Sequence, residues 1–449
     1  MPADGTKEEE EREAGGMKLG GGMSEERGEG TAEPVEMKRG RKSSGSTSLT
    51  FMFRLILLSL GLTANNSLNL KEDQTSTGHG DGICKSRLEI YGYECQEHHV
   101  TTEDGYILSI QRVPNGRSGT GKDATTKVPV LLQHGVLMDG ITWLLSSPDK
   151  SLGYILADSG YDVWIANSRG TKYSLRHMFL SPSNSAYWEW SWDQLVAYDL
   201  PAVVEYVYNQ TRNQKIHYIG HSLGTLMALA SFCEHRLLDM IRSAALLCPI
   251  AFLDQITSSI ARASANAFVG EVSYWLGLHE FNIIGRSGDE LLLQVCNQPG
   301  VNCYDLITSF TGRNCCLNSS SVRVFLDHEP QPTAMKNMIH MAQMIRRGTI
   351  AKYDYDSYEE NMKHYGQAHP PAYNMSNIPN NFPLFLSYGG RDALSDSNDV
   401  RHLLKMLKCH HKTKLKVRFL QNYAHGDFVM AVNAKQLVYD PLISFLNLF

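Results

Sequence analysis

The fold of this chain is decided by the stretch Ile216-His217-Tyr218-Ile219-Gly220-His221-Ser222-Leu223-Gly224-Thr225. Its first half is rich in β-branched and aromatic residues and predicts a strand, while the apolar residues that follow predict a helix starting at Thr225. Between them, the pattern G-x-S-x-G predicts a sharp turn that exposes the Ser222 hydroxyl above the sheet edge, with Gly220 and Gly224 avoiding side-chain clashes. The alternative is an ordinary glycine-bounded turn with an incidental serine, so the remaining chain has to discriminate.

The composition is that of a globular protein. A chain of 449 residues that is 42% hydrophobic can fill a large core and has room for roughly two or three domains. The formal net charge of −5 gives no indication of a nucleic-acid partner. No spacing of cysteine and histidine matches a zinc site. We therefore expect no metal and no cofactor.

The N-terminal part predicts targeting rather than folding. Residues 1–48 are rich in Gly, Glu and Ser and are predicted to form a disordered extension. Residues 49–64 are apolar apart from Arg54 and are shorter than the ~20 residues that span a bilayer. We interpret them as a secretory signal peptide, with Met52 as the working start and a mature chain beginning near Asn65. A signal anchor or a buried core helix are the alternatives.

Nine cysteines and four glycosylation sequons follow the signal segment. Secretion would permit disulfides, and the odd number of cysteines leaves at least one thiol unpaired. We expect Cys84 to pair with Cys95, and further pairs to form within a second group: Cys296, Cys303, Cys315 and Cys316. The N-x-S/T sequons that would accept glycans are at Asn65, Asn209, Asn318 and Asn374.

Strand and helix patterns alternate up to residue 250. Apolar runs at residues 128–133, 161–167 and 243–248 predict buried strands, and residues 187–208 predict a helix. This order is typical of an α/β fold with a mostly parallel sheet covered on both faces. We assign residues 84–250 to the first part of this core. The tryptophans at the start of that helix are interpreted as packing, with a site lining as the alternative: Trp188, Trp190 and Trp192.

The strand at residues 128–133 is followed by His134, Gly135 and Val136. When a serine nucleophile lies in a strand-to-helix turn, a loop at this place supplies one N–H group to the oxyanion, and the residue after the nucleophile supplies the other. We therefore predict that the N–H groups of Val136 and Leu223 form an oxyanion hole. The alternative is a simple turn after a strand.

Residues 251–381 differ in character from the core. Apolar helical segments, such as residues 256–276 and 333–345, alternate with loops, and strand signals are scarce. We predict a mainly helical cap inserted between strands, with apolar faces that mostly pack internally and partly face lipid. Residues 382–449 are assigned to the second part of the core.

A carboxylate and a histidine follow the next two predicted strands, at residues 383–388 and 415–420. Asp392 comes after two glycines at the end of one, and His425 lies in the loop after the other. Asp396 and Asp399 are alternative carboxylates, although their places in the first turns of a helix suit capping better. The order serine, aspartate, histidine at the ends of successive elements predicts that Ser222 attacks an ester, that His425 transfers its proton, and that Asp392 holds the imidazole.

From about Glu89 to the C-terminus, the chain resembles the acid lipases, the α/β-hydrolase family of gastric and lysosomal lipases, and most of all their plant members. The resemblance rests on strings that are jointly far more specific than the serine turn alone. They are HHVTTEDGYIL at residues 98–108, LQHG at 132–135, NSRG at 167–170, WEWSWD at 188–193, GHSLG at 220–224, HY at 364–365, PP at 370–371 with YN at 373–374, and GGRD at 389–392.

The resemblance implies an α/β-hydrolase fold and a cap with a movable lid over a long acyl-chain groove. The family's nucleophile, acid and base match Ser222, Asp392 and His425, and its oxyanion donors match Val136 and Leu223. It implies a secreted or vacuolar lipase that acts at a lipid–water interface on long-chain fatty-acid esters, triacylglycerol first and sterol esters second. A carboxylesterase or acyltransferase on smaller acyl groups, and a lipid or hormone receptor on a hydrolase fold, are the alternatives. The oligomeric state is left open.

Overall fold

The computed structural model describes residues 82–117, 127–282 and 303–449, with the backbone alone at residues 303–306. The predicted extension, the signal segment with Met52, and the sequon at Asn65 lie outside the described residues.

The strands of the described ranges form one large sheet and one short antiparallel pair. The large sheet contains β1 (Gln96–Thr101), β2 (Tyr106–Val113), β3 (Pro129–Gln133), β4 (Asp162–Ala166), β5 (Arg176–His177), β6 (Ile216–His221), β7 (Ile241–Leu247), β10 (Leu384–Gly389) and β11 (Leu415–Leu420). The short pair is β8 (Glu280–Phe281) with β9 (Thr333–Ala334).

The α-helices lie between these strands and after them. Those of the first half are α1 (Leu152–Asp158), α2 (Trp192–Gln194), α3 (Leu200–Gln210), α4 (Leu223–Cys233), α5 (Ser259–Asn266) and α6 (Val269–Trp275). The remaining ones are α7 (Cys303–Thr311), α8 (Ser319–His328), α9 (Met335–Arg347), α10 (Tyr358–Tyr365), α11 (Ser397–Met406), α12 (Asp427–Met430) and α13 (Asp440–Leu446). Short 3₁₀ segments are Glu89–Tyr91, Gly140–Leu144, Ser185–Trp188 and Met375–Asn377, and π-helical turns are Cys84–Leu88, Leu195–Asp199 and Lys435–Tyr439.

The large sheet is parallel from β4 to β11. Its order is β1-β2-β4-β3-β6-β7-β10-β11, with β5 beside β2, and only the pairings made by β2 are antiparallel. The register aligns Gln133 with Gly220, and Gly389 with Leu420, so the carboxyl ends of β3, β6, β10 and β11 meet at one sheet edge. The predicted α/β class with a mostly parallel sheet is confirmed.

Both faces of the sheet are covered by apolar side chains, as the continuous apolar runs of the central strands predict. In β4, Trp164 packs into the cluster on one face, while Val163 and Ile165 pack into the cluster on the other. All three side chains are fully buried. This alternation follows from the two-residue period of a strand, and it gives the edge with Ser222 a rigid support.

The tryptophans at residues 188–192 belong to the first of these clusters and are at most 2% exposed, so the packing interpretation is confirmed.

The elements differ from the predictions in several places. Strand β2 and helix α1 were not predicted, and the helix predicted at residues 187–208 is divided into α2, α3 and the 3₁₀ and π-helical segments beside them. No strand was predicted at β1, because its residues QEHHVT carry little apolar signal and only alternate between half-buried and exposed. The helix after the serine turn starts at Leu223, not Thr225. Residues 256–276 form two helices instead of one, because Phe268 between α5 and α6 adopts a left-handed conformation with φ of 52°.

Between β7 and β10, the described residues contain the six helices α5 to α10 and the short strands β8 and β9. The contacts of this region are largely helix on helix, with α9 packing against both α5 and α6. None of the helices in the described ranges combines the length and apolarity needed to cross a membrane.

Candidate active site

Ser222 lies in a strained turn between β6 and α4. Its backbone, with φ of 53° and ψ of −117°, occupies a region that L-residues rarely adopt. A Cβ at Gly220 would come within 2.8 Å of the backbone of Gly224, and a Cβ at Gly224 would come within 2.6 Å of the carbonyl oxygen of Gln133. Both glycines are therefore required by close backbone approach, as predicted. The turn places Ser222 at the N-terminal end of α4, where helical N–H groups lack partners within the helix.

Three hydrogen bonds hold the turn in place. The hydroxyl of Tyr218 donates to the carbonyl oxygen of Gly224 at 2.6 Å. The hydroxyl of Thr225 donates to the backbone carbonyl oxygen of Ser222 at 2.6 Å. The N–H group of Ser222 donates to the carbonyl oxygen of Leu247 on β7 at 3.1 Å. These groups are buried, so the strained conformation is supported on both sides by satisfied polar contacts.

The loop after β3 approaches the nucleophile turn directly. A Cβ added at Gly135 would lie 2.9 Å from Cβ of Ser222, so the backbone of Gly135 lies against Ser222. His134 has a structural part in this loop: the N–H group of Ser168 donates to its Nε2 at 3.0 Å, and its Nδ1 lies 2.8 Å from the carbonyl oxygen of Gly135. Burial lowers the pKa of His134 to about 4, so the ring is neutral at ordinary pH. The structure therefore brings the loop of Val136 next to Ser222 and Leu223.

Asp392 and His425 meet at the same edge, after β10 and β11. Nδ1 of His425 lies 3.0 Å from both carboxylate oxygens of Asp392, and the two side chains are 6% and 0% exposed. The N–H groups of Leu394 and Ser395 donate to Asp392 Oδ1 at 2.9 and 2.8 Å. Such bonds stabilise the ionised carboxylate, which in turn orients the imidazole.

The alternative carboxylates serve other purposes. Asp396 caps α11 by accepting the N–H group of Asn398 at 2.7 Å. Asp399 accepts the N–H group of Gln255 at 3.2 Å, and burial together with Asp254 raises its pKa to about 7. The structure thus places Asp392, and neither of these two, beside His425.

Two residues next to His425 were not predicted. Nε2 of His221 lies 3.2 Å from the carbonyl oxygen of His425, and the thiol of Cys248 donates to the same oxygen at 3.6 Å. These contacts place His425 beside the residue that precedes Ser222. Burial and the proximity of His425 hold the pKa of His221 well below its ordinary value. Its position inside the G-x-S-x-G motif is the only sequence signal for this contact.

The side chains of His221, Cys248 and His425 are close enough to share a metal ion, with ligand atoms within 4.8 Å of one another. Their chemistry opposes this use. Burial and the charge of Asp392 raise the pKa of the Cys248 thiol well above its ordinary value, and metal binding requires the thiolate. Nδ1 of His425 is already bound to Asp392. The arrangement instead fits a serine activated by a base that a carboxylate orients.

The cysteines of the described residues form two disulfides. Cys84 pairs with Cys95, as predicted, and Cys315 pairs with its neighbour Cys316. The described thiols that remain free are those of Cys233, Cys248 and Cys409, so the prediction of an unpaired thiol is confirmed. The other two cysteines, Cys296 and the side chain of Cys303, lie outside the described residues.

The sequons that the structure describes lie on helices or helix starts. Asn209 is exposed near the end of α3, and Asn374 is exposed and accepts the N–H group of Ser376 at 3.1 Å. Asn318 is half-buried and caps α8 through its Oδ1, which accepts the N–H group of Ser321 at 2.7 Å. Whether these amides carry glycans stays a prediction.

Comparison with known proteins gives concordant matches over most of the chain. Residues 84–147 match the family described as the partial α/β-hydrolase lipase region, and residues 128–275 match the α/β-hydrolase fold. The chain is 50% identical over 367 residues to triacylglycerol lipase 2 of Arabidopsis thaliana, covering 82% of this chain and 88% of that protein. It is 34% identical over 370 residues to human gastric triacylglycerol lipase, covering 80% and 89%. A solved structure of monoglyceride lipase from Saccharomyces cerevisiae aligns with a TM-score of 0.48 at 14% identity, covering 79% and 93%.

Proposed function

The chain belongs to the α/β-hydrolase lipase family and is a carboxylic ester hydrolase, and we propose that it hydrolyses long-chain fatty-acid esters by an acyl-enzyme mechanism on Ser222, Asp392 and His425. The observation that carries the proposal is the pair of 3.0 Å contacts from Nδ1 of His425 to a buried Asp392, at the sheet edge where Ser222 occupies its strained turn. The pairing of Asp392 with His425 is not needed to stabilise the Ser222 turn, because that turn is held by its own three hydrogen bonds.

In the first step, Ser222 attacks the ester carbonyl while Nε2 of His425 takes its proton. Asp392 keeps Nδ1 of the ring protonated and stabilises the imidazolium that forms. The N–H groups of Val136 and Leu223 bind the oxyanion, and losing one such donor costs about 3 kcal/mol of transition-state stabilisation. His425 then protonates the leaving alcohol. Water, activated by the same ring, releases the fatty acid and regenerates the serine.

Triacylglycerol is the substrate that we propose first, with sterol esters second. Relatives at 50% and 34% identity carry the name triacylglycerol lipase. Helix α6 and the residues that flank it also present an apolar surface to solvent. Phe268 before the helix, Val272 and Trp275 within it, and Leu276 after it are 49–84% exposed. A surface of this kind suits contact with a lipid–water interface. We assign residues 251–381 to a cap over the site and residues 84–250 with 382–449 to the core.

We also propose that the protein is secreted or delivered to an endomembrane lumen such as the vacuole. The Cys84–Cys95 and Cys315–Cys316 disulfides are typical of oxidising compartments. The signal segment at residues 49–64 and the sequons at Asn65, Asn209, Asn318 and Asn374 are consistent with that route. The enzyme therefore meets its substrate outside the cytosol.

The test is fatty-acid release from emulsified long-chain triacylglycerol by the purified wild-type protein and by Ser222→Ala, at acidic and neutral pH. Release by the wild type that falls by at least about 10³-fold in the variant supports the proposal. Cleavage of soluble short-chain esters alone would show an esterase on smaller acyl groups. Folded wild-type protein that cleaves neither substrate would favour the receptor alternative and overturn the proposal.

A further inference from the structure

A segment that runs from the last residue of α7 towards α8, residues 311–317, contacts both loops that carry the proposed acid and base. We call it the bridging segment. The carbonyl oxygen of Thr311 accepts two N–H groups, from Ala393 at 3.2 Å and from His425 at 3.3 Å. Gly312 pairs with Asp392 in an isolated antiparallel bridge, and a Cβ at Gly312 would come within 2.1 Å of the carbonyl oxygen of Arg391. One short segment thus fixes the separation of the Asp392 and His425 loops.

The same segment holds the far side of the His425 loop through side chains. Oδ1 of Asn314, which is 2% exposed, accepts the N–H group of Gly426 at 3.1 Å. Asp427, fully buried two residues after His425, accepts the N–H groups of Cys315 at 3.0 Å and Cys316 at 3.1 Å. Its third N–H donor is Ala424, at 2.8 Å. Two of the three hydrogen bonds that stabilise this buried carboxylate therefore come from the bridging segment.

Cys315 and Cys316 are joined by a disulfide, which closes a small ring around the peptide bond between them. The ring limits the backbone conformations of both residues, and in the conformation observed both N–H groups donate to Asp427. Cys315 is exposed, so a dissolved thiol can reach its sulfur. Opening the ring frees the backbone, and a buried carboxylate that loses N–H donors is strongly destabilised in place.

We propose that the bridging segment positions His425 against Asp392 through the positioning residue Asp427, and that the Cys315–Cys316 disulfide makes this positioning redox-sensitive. The inference rests on the proposed function of Ser222, Asp392 and His425. A dithiol supplies the chemistry. One of its thiolates attacks Sγ of Cys315, which forms a mixed disulfide and releases Cys316 as a thiolate, and its second thiolate then attacks the first sulfur of the dithiol and releases Cys315. The two cysteines take up two electrons and two protons, and the dithiol becomes a disulfide.

The expected effect is on turnover more than on substrate binding, because the bridging segment touches the loops of the acid and base. A misplacement of about 1 Å at a reacting group lowers the rate roughly 100-fold. We therefore expect dithiothreitol to lower kcat on a soluble short-chain ester by about 10- to 100-fold, with KM within about twofold, and reoxidation to restore it.

Matched variants assign the effect to this bond. C315S/C316S should show the low kcat without dithiothreitol and no further loss with it, whereas C84S/C95S should keep the sensitivity of the wild type. D427N should lower kcat in the same way, because it weakens the same contact from the Asp427 side. If this buried variant does not fold, the result for C315S/C316S still tests the proposal. Wild-type kcat in C315S/C316S, or an unchanged kcat in fully reduced wild type, would overturn the proposal.

Amide hydrogen exchange separates this inference from the proposed function. Reduction should speed the exchange of the amides at residues 424–427. Gly426 donates its N–H group to Asn314 of the bridging segment, and Ala424 donates its own to Asp427, the carboxylate that the segment holds through Cys315 and Cys316. This result is expected whether or not the protein cleaves an ester. If the wild type cleaves no ester but its amides exchange faster on reduction, the proposed function is overturned. The conclusion that the bridging segment holds the His425 loop would still stand. Unchanged exchange in reduced protein would refute the segment's part itself.

Discussion

Gly135→Ala is the sharpest perturbation of the proposed oxyanion loop. The added Cβ would lie 2.9 Å from Cβ of Ser222, 3.3 Å from Nδ1 of His221 and 3.4 Å from Sδ of Met138. Two carbon atoms prefer a separation of about 3.5–4.0 Å, so the loop and the serine have to move apart by roughly 0.6–1.1 Å. A movement of this size takes the N–H group of Val136 away from the oxyanion that forms when Ser222 attacks the ester.

A displacement of this size is expected to lower kcat about 100-fold, which corresponds to about 2.7 kcal/mol in the activation barrier. KM should change little, because the oxyanion contact is made in the transition state. The assay is steady-state hydrolysis of a soluble ester, with a thermal melt for each variant.

Gly270→Ala is the matched control, since its Cβ would meet Cγ1 of Ile339 at the same 2.9 Å, but in the contact between α6 and α9. It should lower the Tm comparably and leave kcat within about twofold. The reasoning is refuted if folded Gly135→Ala keeps more than about a third of the wild-type kcat, or if both glycine variants lose activity equally.

Three further outcomes follow from single contacts. Asp392→Asn removes the charge that orients His425, and kcat should fall by about 10³- to 10⁴-fold with an unchanged Tm; a loss below tenfold would contradict the assignment. The pKa of Asp399 is raised from 3.8 to about 7 in the folded protein. Its contribution to the free energy of unfolding is therefore complete below about pH 4 and is lost as the pH rises through 7. Asp399→Asn should make Tm depend less on pH between these two values. Tyr218→Phe leaves the buried carbonyl of Gly224 without its hydroxyl donor and should cost about 1–2 kcal/mol in urea denaturation, whereas no cost would show that water replaces it.

Much of the fold could be predicted because its signals are local. Strand β11, whose residues are half-buried or exposed, was predicted with its observed bounds. Strands β3, β4, β7 and β10 were predicted within about two residues at each end, since continuous apolar runs bounded by glycine or proline are typical of buried parallel strands. The errors arise where local signals conflict with packing. The polar strand β1 is held by its antiparallel partner β2, and the break at Phe268 depends on the backbone conformation between two packed helices.

The sequence by itself determined the order of the candidate site: a serine, an aspartate and a histidine at the ends of successive elements, with glycines where the backbone approaches closely. Strand ends and close-approach glycines depend on short stretches of chain, so neighbouring residues are enough to predict them. The sequence predicted that Asp392 pairs with His425, and the tertiary structure supplied their 3.0 Å contact. Only the tertiary structure decided that His221 and Cys248 contact the carbonyl oxygen of His425, and that Thr311 bonds to both loops. The partners lie 33 to 204 residues apart in the chain. Contacts over such separations are set by the packing of whole elements, which no local pattern records.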